Sequence, residues 1–336
     1  MSYNTALAAT PMETKNKKTF SPLLRYVTDF LVYCEIEKNQ SQRTIVNYDH
    51  YLRRFAEFAG RYSVTKPEQI TLDLTRSYRL YLNRYEDASG RRLKLITQNY
   101  HVIALRAFLK YLIKRDVKTL APEKIELAKN PSREVSVLEL DEITRILDAT
   151  KQEKIELLRA RDRAILLTLF ASGVRISELT QLRTANVNLK RGEFTVRGKG
   201  DKLRLVFLSP DAIAAIQAYS KLRTDNNPFL FVNHTQVGQT ATKQMEALDS
   251  KKGAGLTPRS IQRMIKKYAL IAGIMHQVSP HTFRHSFATD LLRNGADIRS
   301  VQSLLGHASI TTTQIYTHIT NQGLREIHRK FHSKKG

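Results

Sequence analysis

The stretch from His281 to Tyr316 collects imidazoles, a guanidinium and a phenol within a few short helical segments, and Arg175 and Lys199 precede it in the chain. Together such side chains can hold an oxyanion, move a proton and attack an electrophile. Ser279 can cap a helix with Pro280 in its first turn. The spacing then puts His281 and Arg284 on one face and turns Phe283, Phe287 and Leu291 toward a core. Gly295 ends that helix, Asp297 starts a second that stops at Gly306, and Ser309 caps a third carrying Tyr316. These junctions return His307 and Tyr316 to the first face, which can hold an anion.

Each residue also has an ordinary reading. Arg175, just past Gly173, can stabilise a helix end or pair with Glu178 three positions later. With Arg284 it can instead offer two forks of donors to the non-bridging oxygens of a phosphodiester. Lys199 sits in a GKGD turn that lacks the longer glycine-rich loop and terminal Ser or Thr of a nucleotide cradle, so a solvated lysine is its simplest reading. His281 can be a helix-start residue, and His307 a satisfied core or surface histidine. His285 follows His281 at metal-pair spacing, but neither an HExxH sequence nor a carboxylate set accompanies it; packing or support of the site suits it better. Tyr316 alone reads as a buried aromatic with a polar edge, and in this company as a nucleophile.

The elements that must position these groups fall into two regions. Residues before about Thr19 carry few large apolar groups and read as a mobile arm, residues 1–20. From 21 to 117 four apolar stripes repeat at helical spacing: Leu24, Val27, Phe30, Leu31 and Cys34; then Ile45, Tyr48, Leu52, Phe55 and Phe58, capped by Ser41 or Thr44; then ITLDLTRSYRLYLNRY; then TQNYHVIALRAFLKYLIKRD. These predict a compact helical domain. Two prolines, mixed charge and no sustained apolar face make 118–134 an expected linker. Beyond it, a strongly apolar helix over DRAILLTLFAS, a hairpin over EFTVRGKGDKLRLVFL, a helix over DAIAAIQAYSKLR, a short strand at PFLFV, an exposed loop over 233–257 and a helix from Thr257 and Pro258 complete a mainly helical domain with a small antiparallel sheet, 135–320. A short amphipathic tail, 321–336, follows.

Composition limits the partners. The chain has 336 residues, 55 Lys and Arg against 31 Asp and Glu, a net charge of +24 and a hydrophobic content of 41%. That charge favours a polyanion and salt-dependent association, without separating DNA from RNA. The single cysteine, Cys34, excludes an internal disulfide framework and a cysteine-rich zinc module. No apolar run is long enough to span a bilayer and no secretion signal opens the chain, so a cytoplasmic protein associated with DNA or the nucleoid is expected.

Taken jointly, the motifs resemble the tyrosine recombinase/integrase family, most of all the Xer site-specific recombinases. ASGVRISEL carries Arg175, RGKGDK carries Lys199, HTFRH carries His281 and Arg284, and LLGHASITTTQIYTH carries His307 and Tyr316, nine residues apart and in the family's order. The resemblance covers nearly the whole chain. It implies that Arg175 and Arg284 clamp the scissile phosphate, with Glu178 orienting Arg175. Lys199 protonates the leaving 5′ oxygen, His281 accepts or relays the Tyr316 proton, and His307 bonds a non-bridging oxygen. Tyr316 forms a 3′-phosphotyrosine. No metal, nucleotide or other cofactor is implied.

The same resemblance implies a helical core-binding domain and a catalytic domain that clamp duplex DNA. It also implies four protomers in a synaptic complex, either identical or shared with a related recombinase, with the tail exchanged between neighbours through Leu324, Ile327 and Phe331. Chromosome-dimer resolution with an activating protein is the Xer role. A mobile-element or phage-type integrase, a type IB topoisomerase-like enzyme and a noncatalytic architectural DNA-binding protein are the alternatives.

Overall fold

Apolar stripes at helical spacing become buried faces in the first part of the chain. In this computed structural model, which describes residues 22–129, 136–198, 203–234 and 255–306, the chain divides into two compact units, 1–132 and 133–336. The expected arm, residues 235–254 of the expected 233–257 loop, Ser309 and the tail lie outside the described residues.

In the first unit, helix α1 (Pro22–Ile36) buries Leu23, Val27, Phe30, Tyr33 and Cys34. Helix α2 (Gln42–Gly60) starts at Ser41, whose hydroxyl accepts from the Thr44 N–H at 3.3 Å, and buries Leu52, Phe55 and Phe58. Helix α3 (Leu72–Arg84), capped by Thr71, contributes Leu74, Tyr78 and Leu82, and α4 (Leu95–Lys114) contributes Val102, Leu105, Phe108 and Leu112. These side chains form one core. His101 of α4 is buried within it, 3.1 Å from the Tyr78 hydroxyl. Burial, then the charges of Arg54 and His50, push its imidazole down to about 4. Burial likewise raises the Cys34 thiol to about 11, as a structural cysteine requires.

The first part of the expected 118–134 linker is packed against the helical unit. Residues 118–129 belong to the helical unit: a turn at Pro122–Lys124 inserts Ile125 into the core. The Asn99 amide pairs with both backbone groups of Ala128, donating to its carbonyl at 2.8 Å and accepting from its N–H at 3.2 Å. Two apolar anchors and one buried amide hold a segment that has no periodic apolar face. Residues 130–135 are outside the described set.

The second unit is built on α6 (Glu156–Ser172), which buries Ala164, Ile165, Leu166 and Leu169. Helices α5 (Leu140–Ala149), α8 (Pro210–Leu222) and α10 (Pro280–Arg293) pack against it. The short α7 (Ile176–Thr180), α9 (Pro258–Ile271) and α11 (Ile298–Leu305) complete the described helices. Thr257, Ser279 and Asp297 cap α9, α10 and α11 as their side chains foretell.

Strands β1 (Val187–Asn188), β2 (Glu193–Arg197) and β3 (Leu203–Phe207) form one antiparallel sheet in that order. The hairpin register runs from Glu193 opposite Phe207 to Arg197 opposite Leu203. Phe194, Val196 and Val206 face the core, so the architecture is mainly α with a small antiparallel sheet.

PFLFV departs from the expected strand. Phe229 and Val232 make isolated bridges, to Arg183 and Gly255. The Arg223 guanidinium takes the carbonyls of Asn227, Phe229 and Leu230 at 3.0, 2.8 and 2.9 Å, acceptors a ladder would need. Among the described residues no helix is long and apolar enough to cross a membrane.

Candidate active site

Helix α6 ends at Gly173 in the left-handed region, with φ +56°, and a Cβ there would stand 2.4 Å from Cδ1 of Phe287 on α10. Only glycine permits both the turn and the approach of α10. Arg175 follows at the N-cap of α7. Its backbone N–H donates to Glu178 Oε2 at 2.7 Å and its Nη1 to Oε1 at 3.0 Å. Arg204 enters from β3 and forks onto the same carboxylate, Nη1 to Oε1 at 2.6 Å and Nη2 to Oε2 at 2.8 Å. The Glu178 side chain is 5% exposed. Burial alone would raise its carboxyl, but the two arginines hold it below the ordinary carboxylate range.

Arg284, buried on α10, donates from Nη1 to the Gly173 carbonyl at 2.5 Å and from Nη2 to the Leu305 carbonyl at 2.6 Å. Arg175 Nη2 reaches the Gly306 carbonyl at 3.0 Å, and Arg204 Nε the Leu304 carbonyl at 3.2 Å. Three successive carbonyls at the end of α11 each receive one guanidinium. The acceptors left over at a helix C-terminus and the negative end of its dipole hold the three cations in place. With three guanidinium charges against one carboxylate, the cluster can take an anion.

His281 lies exposed in the first turn of α10, three residues before Arg284. His285, one turn further, is half-buried. Burial, then the charges of His281 and Arg284, push its imidazole down to about 4, which keeps it neutral near pH 7. Among the described residues no three His, Cys, Asp or Glu converge as metal ligands.

The profile of the Phage integrase family matches residues 136–322, and that of the Phage integrase, N-terminal SAM-like domain matches residues 27–116. The chain is 35% identical over 316 residues to tyrosine recombinase XerC of Pelobacter propionicus, covering 93% of this chain and 97% of that relative. The chain belongs to the tyrosine recombinase family. Tyrosine recombinase XerD of Listeria innocua is 32% identical over 317 residues, covering 92% and 98% of the two chains.

Among solved structures, the recombinase resembles the XerH site-specific recombinase bound to its difH substrate in a pre-cleavage complex. The TM-score is 0.64 at 25% identity, over 89% of this chain and 83% of that one. The Tn1549 transposon integrase shares the fold, with a TM-score of 0.68 at 17% identity over 92% and 99% of the chains. The recombinase is thus an enzyme of DNA strand cleavage and religation.

Of the residues expected from sequence, the fold brings Arg175, Glu178 and Arg284 to the end of α11, with His281 and His285 on the helix that carries Arg284. Lys199 falls between β2 and β3, and His307 and Tyr316 follow Gly306; all three lie outside the described residues. Sequence reading passed over Arg204. The signal was there: alternation along β3 puts Leu203, Leu205 and Phe207 outside and assigns Arg204, with Val206, to the inner face.

Proposed function

We propose that this recombinase is a Xer-type site-specific recombinase that cuts and rejoins duplex DNA through a 3′-phosphotyrosine at Tyr316. The Tyr316 phenolate attacks the scissile phosphorus, the bond from phosphorus to the 5′ oxygen breaks, and the new phosphotyrosine conserves the phosphodiester's energy. His281 takes or relays the phenol proton, and Lys199 gives one to the departing 5′ oxygen. Arg175 and Arg284 neutralise the phosphorane, with His307 as a further donor, Glu178 orienting Arg175 and the neutral His285 supporting His281. A 5′ hydroxyl from the partner strand reverses the sequence and completes exchange. The observation that carries this reading is the convergence of Arg175 and Arg284 on the adjacent carbonyls of Gly306 and Leu305, directly before His307 in the chain.

The partner is duplex DNA: the charge of +24 favours a polyanion, and the XerH site-specific recombinase is bound to a difH substrate. Two sites are joined by four protomers, all of this chain or shared with a related recombinase, and the chromosomal role is dimer resolution. Relatives named XerC and XerD over more than nine-tenths of the chain support that role above a mobile-element one.

A nicked suicide substrate tests the chemistry. The natural protein accumulates a covalent adduct and Tyr316→Phe forms none while still retaining DNA; the same adduct from Tyr316→Phe removes Tyr316 as nucleophile. A 5′-thio leaving group rescues Lys199→Ala if that lysine is the acid, and fails to if it is not. Covalent complexes mapped across the genome fall at one fixed chromosomal site for a Xer role and at element ends for an integrase.

A further inference from the structure

Arg204 has no part in the family constellation described above, yet its guanidinium touches both halves of the arginine cluster. We propose that Arg204 is a positioning residue for strand cleavage, acting through Glu178 and the end of α11 and making no contact with DNA. The proposal rests on the reading of Arg175 as a phosphate clamp.

Three observations carry it. The Arg204 side chain is 11% exposed, and it fills the inner face of β3, which leaves little of it for a phosphate. Its fork occupies both oxygens of Glu178, while Nε holds the Leu304 carbonyl, three residues before His307. The last turn of α11 also lies directly against it: Gly306 has φ +64°, and a Cβ there would meet Arg204 Cδ at 3.0 Å.

Charge explains the need for a second arginine. Alone with Glu178, whose side chain is buried, the partly exposed Arg175 would form a pair of no net charge and offer a phosphate only donors. With Arg204 satisfying the carboxylate, the trio carries one net positive charge, and Arg175 is oriented by Glu178 without being cancelled by it. Loss of Arg204 therefore weakens Arg175 electrically as well as loosening the turn that leads to His307.

The experiment compares cleavage rates of Arg204→Met on an ordinary nicked substrate and on one whose scissile phosphate is replaced by a neutral methylphosphonate. On the ordinary substrate the variant is expected to cleave about 10–100-fold slower, a smaller loss than the ~10²–10³-fold of Arg175→Ala. On the methylphosphonate, which is neutral in the ground state and develops one negative charge fewer than the phosphodiester in the transition state, the gap to the natural protein narrows. Adding Glu178→Gln to Arg204→Met restores part of the rate, because it removes the carboxylate charge that now cancels Arg175. The salt dependence of DNA binding stays as in the natural protein, since a side chain that touches no phosphate releases no counterion.

Wild-type cleavage by Arg204→Met overturns the proposal. So does an equal deficit on both substrates with no rescue by Glu178→Gln, which marks a purely structural arginine, or a shallower salt slope, which marks a DNA contact. If Arg204→Met does not fold, Arg204→Gln, which keeps two donors and loses the charge, carries the same comparison. Unimpaired cleavage by Arg175→Ala would instead sink the phosphate-clamp reading, whereas a slow Arg175→Ala beside a normal Arg204→Met would sink this proposal alone.

Discussion

The ring-stacked arginines of the helical unit and the three clustered at the end of α11 are held in different ways. In the helical unit two guanidinium groups lie over aromatic faces without a carboxylate partner among the described residues: Arg54 is 4.3 Å from the centroid of Tyr85 and Arg61 is 5.2 Å from Tyr81. In the second unit Arg175, Arg204 and Arg284 are fixed by bonds onto backbone carbonyls and, for the first two, the Glu178 carboxylate. An aromatic face attracts a cation without dictating its angle, so the head group can adjust to a passing phosphate. A carbonyl sets direction as well as distance. A site that must meet charge developing on one phosphorus atom needs the second arrangement.

The sharpest way to break this contrast is Arg284→Met, which leaves the buried carbonyls of Gly173 and Leu305 without this donor. The local stability of α10 and α11 should fall by about 2–5 kcal/mol. Hydrogen exchange of peptides from those helices measures the loss, and unchanged protection would mean the fork is dispensable to the fold.

Next in size is a pH effect in the helical unit. His101 is buried with its imidazole at about 4, against an ordinary value of 6.5 in the unfolded chain. Above pH 6.5 both states are neutral at this residue and it costs nothing. Between 6.5 and 4 the unfolded chain takes up a proton that the folded unit refuses, so stability falls as the pH drops, by roughly 3 kcal/mol in all. Exchange rates of α3 and α4 peptides at pH 7 and pH 5 follow this slope, and His101→Phe should flatten it.

The smallest effect is expected from Arg54→Met. Removing the cation over Tyr85 should cost about 0.5–1 kcal/mol in the helical unit. A loss as large as that of Arg284→Met would show that ring-held and fork-held arginines do not differ.

Most elements around the site were legible because their signals are local. Ser41, Thr257, Ser279 and Asp297 cap the helices that follow them, Gly173 and Gly306 end theirs, and Glu178 meets Arg175 across one helical turn. The packing of 118–129 is not legible in the sequence because what anchors it is one apolar side chain and an amide on α4, neither of which leaves a periodic trace. PFLFV looked like a strand because its composition is right, while the arginine that takes its carbonyls is outside the run.

The amino-acid sequence by itself determined the family, the two-region plan and the order of the groups that can act on a phosphodiester, since each is written in residue types at short, repeating separations. The tertiary structure decided that Arg204 shares Glu178 with Arg175 across 26 positions, and that three guanidinium groups settle on the three successive carbonyls of Leu304, Leu305 and Gly306. No spacing encodes those partners. An inward-facing arginine can satisfy any carbonyl or carboxylate within reach, and which one it meets depends on how β3, α7, α10 and α11 pack together.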